Sequence, residues 1–148
     1  MDILSQHLLS EKKLSESLLI EARQKASSKN QTLIAFLIEN QFLNAKEMAE
    51  ILSRIFGLEF CSLENFQTKV NPLEIFEKEF ILQHQLLPLE EKESQIITAI
   101  SDPNQLTLLE DLSFHTSKNI KPVFVEHDLL QKELHKLFFH LLQNNFNI

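Results

Sequence analysis

Leucines at positions 4, 8, 9, 14, 18 and 19 fall at helical spacing, with polar residues between them and a basic pair, Lys12–Lys13, where the spacing breaks. The pattern predicts short amphipathic helices joined by a turn. It returns 29 residues later, where Leu33, Leu37, Ile38, Leu43 and Met48 occupy the places of Leu4, Leu8, Leu9, Leu14 and Leu19. The helix cap returns as well, as Ser15 in the first copy and Asn44 in the second. Glu47 stands three residues after Asn44, the spacing of a capping box, in which each side chain takes up a backbone N–H of the other. Two helix-turn-helix units are expected, packed on each other because neither hides its apolar face alone.

Beyond Gly57, the only glycine, the grammar changes. "LEFCSL" (Leu58–Leu63) reads as a short strand. Asn71 and Pro72 open a helix expected over Leu73–His84, with Ile75, Phe76 and Phe80 among its apolar positions. "LLPLEE" and "SQIITAIS" flank an acidic turn at Glu90–Glu93 and predict a hairpin. Asp102 as cap, Pro103 at the first position and Gln105 at the third start the next helix, with Leu106, Leu109 and Leu112 as its buried stripe. Lys118–Asn119 then turns the chain into "IKPVFVE", whose Pro122 points to an edge strand or a first ladder position. A last helix starts near His127–Asp128, with Leu130, Leu134, Leu137, Phe138 and Leu141 inward. The expected fold is α+β: a helical subdomain of two repeats at 1–58, then an α+β subdomain at 59–148 in which a small antiparallel sheet packs with helices.

Charge divides the chain at the same place. The formal net charge is −7; residues 1–58 carry 7 basic and 7 acidic side chains, residues 59–148 carry 7 and 14. A phosphate backbone would be repelled by the second part. There is no Trp or Tyr, and the 12 Phe are not interleaved with Arg or Lys as on single-strand binders, so nucleic acid is not an expected partner. At 43% hydrophobic and 24% charged residues the composition is that of an ordinary soluble globular protein. "MDILSQHLLSEKK" lacks the basic start and long apolar run of a secretory signal, and "LIAFLI" (Leu33–Ile38) is too short to span a bilayer. No direct membrane insertion is expected. The single Cys61 excludes an intrachain disulfide and fits a reducing compartment, so a cytoplasmic location is expected.

Chemistry is hard to find along this chain. A phosphate-binding loop needs several glycines, which one glycine cannot supply. His135 and His140 are five apart and on different helical faces, while His84, His115 and His127 stand singly, as solvated or capping histidines do. Cys61 lies in an apolar stretch and reads as a small buried hydrophobe. Glu90, Glu91 and Glu93 crowd a turn, Asp102 is explained as a cap, and Glu110–Asp111 as a solvated helix face. No catalytic, cofactor-binding or metal-ligating residue is therefore expected. Phe138–Phe139 and Phe146 differ: two adjacent Phe cannot both face a core from one helix, and an exposed one marks a surface for another domain or protein.

The helical repeats, then "FGLEFCSLENF", "PLEIFEKEFILQHQLLPLEE" and "ISDPNQLTLLEDLSFHTSKNIKPVFVEHDLLQKEL", resemble one family over nearly all of residues 4–137. It is the N-terminal domain of the type II secretion and type IV pilus assembly ATPases, most like the pilus extension ATPases. Ser101-Asp102-Pro103, Phe114-His115-Thr116 and Val125-Glu126 carry the resemblance by their order and spacing. It implies a non-catalytic regulatory and docking domain ahead of a hexameric ATPase motor. The implied partners are an inner-membrane platform protein or an adaptor of the PilZ kind, with hexamers only in the context of the full-length ATPase. A branch of the family binds cyclic di-GMP through repeats that open with Arg-Leu-Gly and close with Gln. Here the openings read Ile3-Leu4-Ser5 and Thr32-Leu33-Ile34, and the closing positions are Ala26 and Ile55. The scaffold leucines remain while the ligand contacts do not, so no tight cyclic di-GMP binding is expected. A cyclic di-GMP sensor with degenerate repeats and a stand-alone adaptor are the alternative readings.

Overall fold

The repeat is written into the backbone hydrogen bonds. A computed structural model describes residues 2–115 and 119–146, with side chains described up to 111 and over 119–139. Helices α1 (Ile3–Ser10) and α2 (Glu16–Ser28) form the first unit, α3 (Leu33–Glu39) and α4 (Ala45–Phe56) the second. In the first turn the Lys13 N–H donates to the Leu8 carbonyl at 2.9 Å; in the second, 29 residues on, the Phe42 N–H donates to the Leu37 carbonyl at 2.9 Å. Lys12 and Gln41 both take left-handed backbone there, with φ of 57° and 62°. Ser15 Oγ accepts from the Leu18 N–H and Asn44 Oδ1 from the Glu47 N–H, so both expected caps are made. Leu8 and Leu37, Leu14 and Leu43, and Leu19 and Met48 are buried in pairs.

Two expectations fail within this unit. Leu18 is exposed, one position off the apolar stripe that Leu19 and Ala22 continue. The capping box at Asn44 is half made: the Glu47 carboxylate accepts from Lys13 Nζ at 2.7 Å instead of folding back onto its own helix. An inter-repeat ion pair has replaced the local bond. It holds the Lys13 ammonium above its ordinary pKa.

Gly57 ends α4 in the left-handed region, φ 67°, and α4 is followed by a segment that falls short of the expected strand. Over Leu58–Leu63 only Phe60 pairs, in parallel with Phe124, through Cys61 N–H to Phe124 O and Phe124 N–H to Glu59 O, each 2.9 Å. The ladder stops because a side chain takes over. Buried Glu126 accepts the next backbone donor, Leu63 N–H, at 3.0 Å on Oε1, and Ser62 Oγ–H at 2.6 Å on Oε2. The helix expected over 73–84 is also interrupted, into α5 (Pro72–Ile75) and α6 (Lys78–His84). Phe76 between them is extended, and the break turns its ring into the core, 5.7 Å from that of Phe80.

Strands β1 (Leu87–Lys92) and β2 (Gln95–Ile100) form the expected hairpin, with a bulge between Pro88 and Glu90. Helix α7 (Gln105–His115) then leads to β3 (Asn119–Phe124), which joins β2 in parallel, giving the order β1-β2-β3. The fold is α+β as expected, but its sheet is mixed rather than antiparallel. A helix between β2 and β3 carries the chain back to the same end of the sheet, which makes the second pair parallel. Pro122 lies in β3, at the end of the strand order, where a missing N–H is tolerated. Helix α8 (His127–Phe146) buries Leu130 and Leu134, and burial thins at Leu137. Phe138 and Phe139 are 42% and 60% exposed, so Phe138 does not face the core as expected. The expectations for Leu112, Phe114-His115-Thr116, Lys118, His140, Leu141 and Phe146 lie outside the described side chains. One contiguous apolar cluster includes Leu8, Leu37 and Leu52 from the repeats and Ile81, Ile100, Phe124 and Leu130 from the rest. Among the described residues no helix is long and apolar enough to cross a membrane.

Candidate functional site

The loop Ser101–Gln105 is organised by one amide. Gln105 Oε1 accepts from the Ser101 and Asp102 N–H groups, each at 3.1 Å, while its Nε2 donates to the carbonyls of His84 at 2.6 Å and Gln85 at 2.8 Å. The end of α6 and the start of α7 are thereby clamped together. Asp102 Oδ1 accepts from the Asn104 N–H at 2.8 Å, so the cap expected from "SDPNQ" forms, with helical geometry beginning at Gln105 rather than Pro103. Sequence reasoning placed Gln105 as a capping residue and missed its reach across to α6, for which no local pattern exists.

This loop faces the openings of both repeats across two adjoining cavities. The larger, about 590 Å³, has Asp2, Ile3, Leu33, Phe56 and Pro103 among its lining, together with Arg23 and Asp102. The second, about 440 Å³, is walled by Glu39 from α3 and by His84, Gln105, His127 and Gln131. Thr32, Asp102 and Asn104 line both. Ile3 and Thr32, where the nucleotide-binding branch would carry arginines, thus sit at the rim of the larger cavity. Arg23 is bound to Asp2 and to Ser5 Oγ. Burial works to raise the Asp2 pKa, but the bonds from Arg23 and Ser5 outweigh it and keep that carboxyl below its usual range. Asp102 has no such cation. Burial pushes its pKa up, only partly offset by the Asn104 N–H and then by His127 nearby.

Two of the single histidines, His84 and His127, are brought to one cavity, which their separation in sequence did not reveal. The His84 ring packs tilted against that of Phe80, with centroids 4.8 Å apart and planes at 55°. His127 Nδ1 is 2.9 Å from Ser101 Oγ, and burial lowers its pKa against the opposing pull of Glu39 and Asp102. The serine of this pair is 5% exposed and the carboxyl next to it is held by Asn104, so the arrangement orients a loop rather than a nucleophile. Cys61 is exposed, not buried as expected, because the strand meant to enclose it stops at one bridge. Partial burial, then Glu126, raises the thiol pKa and disfavours the reactive thiolate. Glu110 and Asp111 are solvated, as expected, and Glu90 lies 3.7 Å from Lys69. Among the described residues no three His, Cys, Asp or Glu side chains converge as a metal site would need.

Residues 56–143 match the family model described as the MshEN domain. The type IV pilus assembly ATPase PilB of Pseudomonas aeruginosa (strain PAO1) is 25% identical over 135 residues, 91% of this chain and 24% of the relative. PilB of Acinetobacter baylyi is 25% identical over 127 residues, covering 86% and 22%. The chain thus spans about a quarter of the length of the curated relatives it matches. The structure of MshE with cdg superposes with a TM-score of 0.70 at 18% identity, covering 92% of this chain and 99% of the other. The N-terminal domain of XpsE gives 0.66 at 18% identity over 88% and 90%. With more than half of its length inside the family model, the chain belongs to the MshEN domain family, and its curated relatives are type IV pilus assembly ATPases.

Proposed function

We propose that this chain is a non-catalytic regulatory and docking domain of a pilus-assembly ATPase, and that its groove serves a protein partner rather than a cyclic dinucleotide. In the longer protein it would couple a hexameric motor to a platform protein or a PilZ-type adaptor at the cytoplasmic face of the inner membrane. One observation carries this reading. The cavity at the repeat openings offers apolar Ile3, Leu33 and Phe56 and the carboxylates Asp2 and Asp102, while its guanidinium, Arg23, is already bound to Asp2. A dianionic nucleotide would meet like charge and no available arginine. The second-messenger reading is favoured by the similarity to MshE with cdg and by the shared scaffold leucines. Titration calorimetry decides between them. Cyclic di-GMP is expected to give no saturable heat below about 100 µM, whereas a platform-protein cytoplasmic domain or a PilZ-type adaptor binds the 148-residue chain at micromolar concentration. Micromolar binding of the nucleotide, or failure of both proteins to bind, overturns the proposal.

A further inference from the structure

We infer that the two adjoining cavities form one groove for a short basic–apolar segment of a partner protein, whose cationic side chain inserts between Glu39 and Asp102. This rests on the docking reading and names the chemistry of the occupant.

The two carboxylates face the cavities from opposite parts of the fold, Glu39 at the end of α3 and Asp102 in the loop before α7. Neither is neutralised. The bond to Glu39 comes from the Gln31 side-chain amide and the one to Asp102 from the Asn104 backbone N–H. Among the described residues no lysine lines either cavity, and the arginine there, Arg23, is committed to Asp2 and Ser5. His127 stands close to both acids, but burial favours its neutral form. Asp102 is half-buried and Glu39 exposed, so the standing cost of a carboxylate without a counter-charge lies at Asp102. An incoming ammonium or guanidinium relieves it through a charge-assisted bond stronger than those present, while Glu39 adds attraction from the other side.

The larger cavity supplies the other half of the recognition. Ile3 is 58% exposed at its rim, beside Leu33, Phe56 and Pro103. Apolar surface left open next to unmatched acid fits a segment carrying an aliphatic side chain within a few residues of an Arg or Lys. Volumes of about 590 and 440 Å³ hold side chains of that size. The same walls repel phosphate, which separates this occupant from a nucleotide.

The probe is a fluorescein-labelled peptide, Gly-Leu-Ile-Gly-Arg-Arg-Gly, titrated with the 148-residue chain and followed by anisotropy. Saturable binding is expected, weakened about tenfold when both arginines become glutamines and similarly when Leu-Ile becomes Ser-Ser. The double variant Glu39→Gln/Asp102→Asn keeps the cap and the side-chain shapes; it should melt no lower than the parent and bind about tenfold more weakly. Affinity should also fall as salt rises. No saturation at millimolar protein, equal binding by the acidic peptide Gly-Leu-Ile-Gly-Glu-Glu-Gly, or unchanged affinity in the double variant overturns the inference. So does a concentration-dependent dimer in light scattering that the peptide dissolves, because the occupant would then be a second copy. A platform or adaptor protein captured equally well by the double variant removes this groove and leaves the docking function standing. Displacement of the peptide by micromolar cyclic di-GMP removes both.

Discussion

Glu126 shows how much one side chain can organise. It is buried, and its two oxygens terminate the 59–63 segment by accepting from Leu63 N–H and Ser62 Oγ–H. Glu126→Ala leaves a buried backbone donor unpaired and should cost about 2–3 kcal/mol in urea unfolding, while Ser62→Ala, whose hydroxyl is nearer solvent, costs about 1 kcal/mol or less. At Asp102 the sign reverses. Its folded pKa lies above 3.8, so the folded state holds a proton more tightly than the unfolded chain, and the ionised group opposes folding at neutral pH. Asp102→Asn preserves the cap and should stabilise the fold at pH 7 by no more than about 1 kcal/mol, raising the melting temperature, with the gain fading as pH drops into the carboxylate range. His127 makes the opposite demand. Its folded pKa lies below 6.5, so the unfolded chain takes the proton first; stability is complete above pH 6.5 and declines as pH falls below it. A His127→Gln variant should flatten the melting curve between pH 7 and 5. An unaltered slope there would show that burial of this imidazole carries no linkage.

At the scale of elements, the turns record what the repeat tolerates. Lys12 and Gln41 sit in left-handed backbone that an L side chain reaches only with strain. Lys12→Gly and Gln41→Gly should each stabilise the chain by about 0.5–1 kcal/mol, and Gly57→Ala should cost about 1 kcal/mol, through φ alone because open space surrounds Gly57. Equilibrium denaturation of the three variants checks this. The repeat itself was legible except at Leu18 and in the second half of the capping box, since its spacing fixes the other buried positions and the caps at Ser15 and Asn44. So were the β1–β2 hairpin and the cap at Asp102. What escaped sequence reasoning were non-local substitutions of one bond for another: Lys13 for the second half of a capping box, Glu126 for a ladder, Gln105 for an α6 terminus. The parallel β2–β3 pairing was readable in principle, because a strand, a helix and a strand in succession imply a crossover. The candidate groove was not, as its walls come from residues around 2, 32, 56, 84, 102 and 127.

For the molecule as a whole, the sequence halves differ in charge and grammar but contribute to one apolar cluster, with Phe56 and Phe124 rings 6.0 Å apart across the junction. A single cooperative transition is therefore expected when calorimetry and far-ultraviolet dichroism are compared, and separate midpoints would show that the halves fold independently. The attachment of residues 59–63 has a mechanical consequence. One bridge, the Glu59–Lys121 ion pair, the Glu126 carboxylate and buried Leu63 hold this stretch against β3 and the segment that follows it, arranged like rungs to be opened one after another rather than sheared at once. Under tension, slack is expected to be released here first, at forces below those that rupture the packed helices. Single-molecule stretching should record an early, small extension step, and Glu126→Gln should bring that step to lower load.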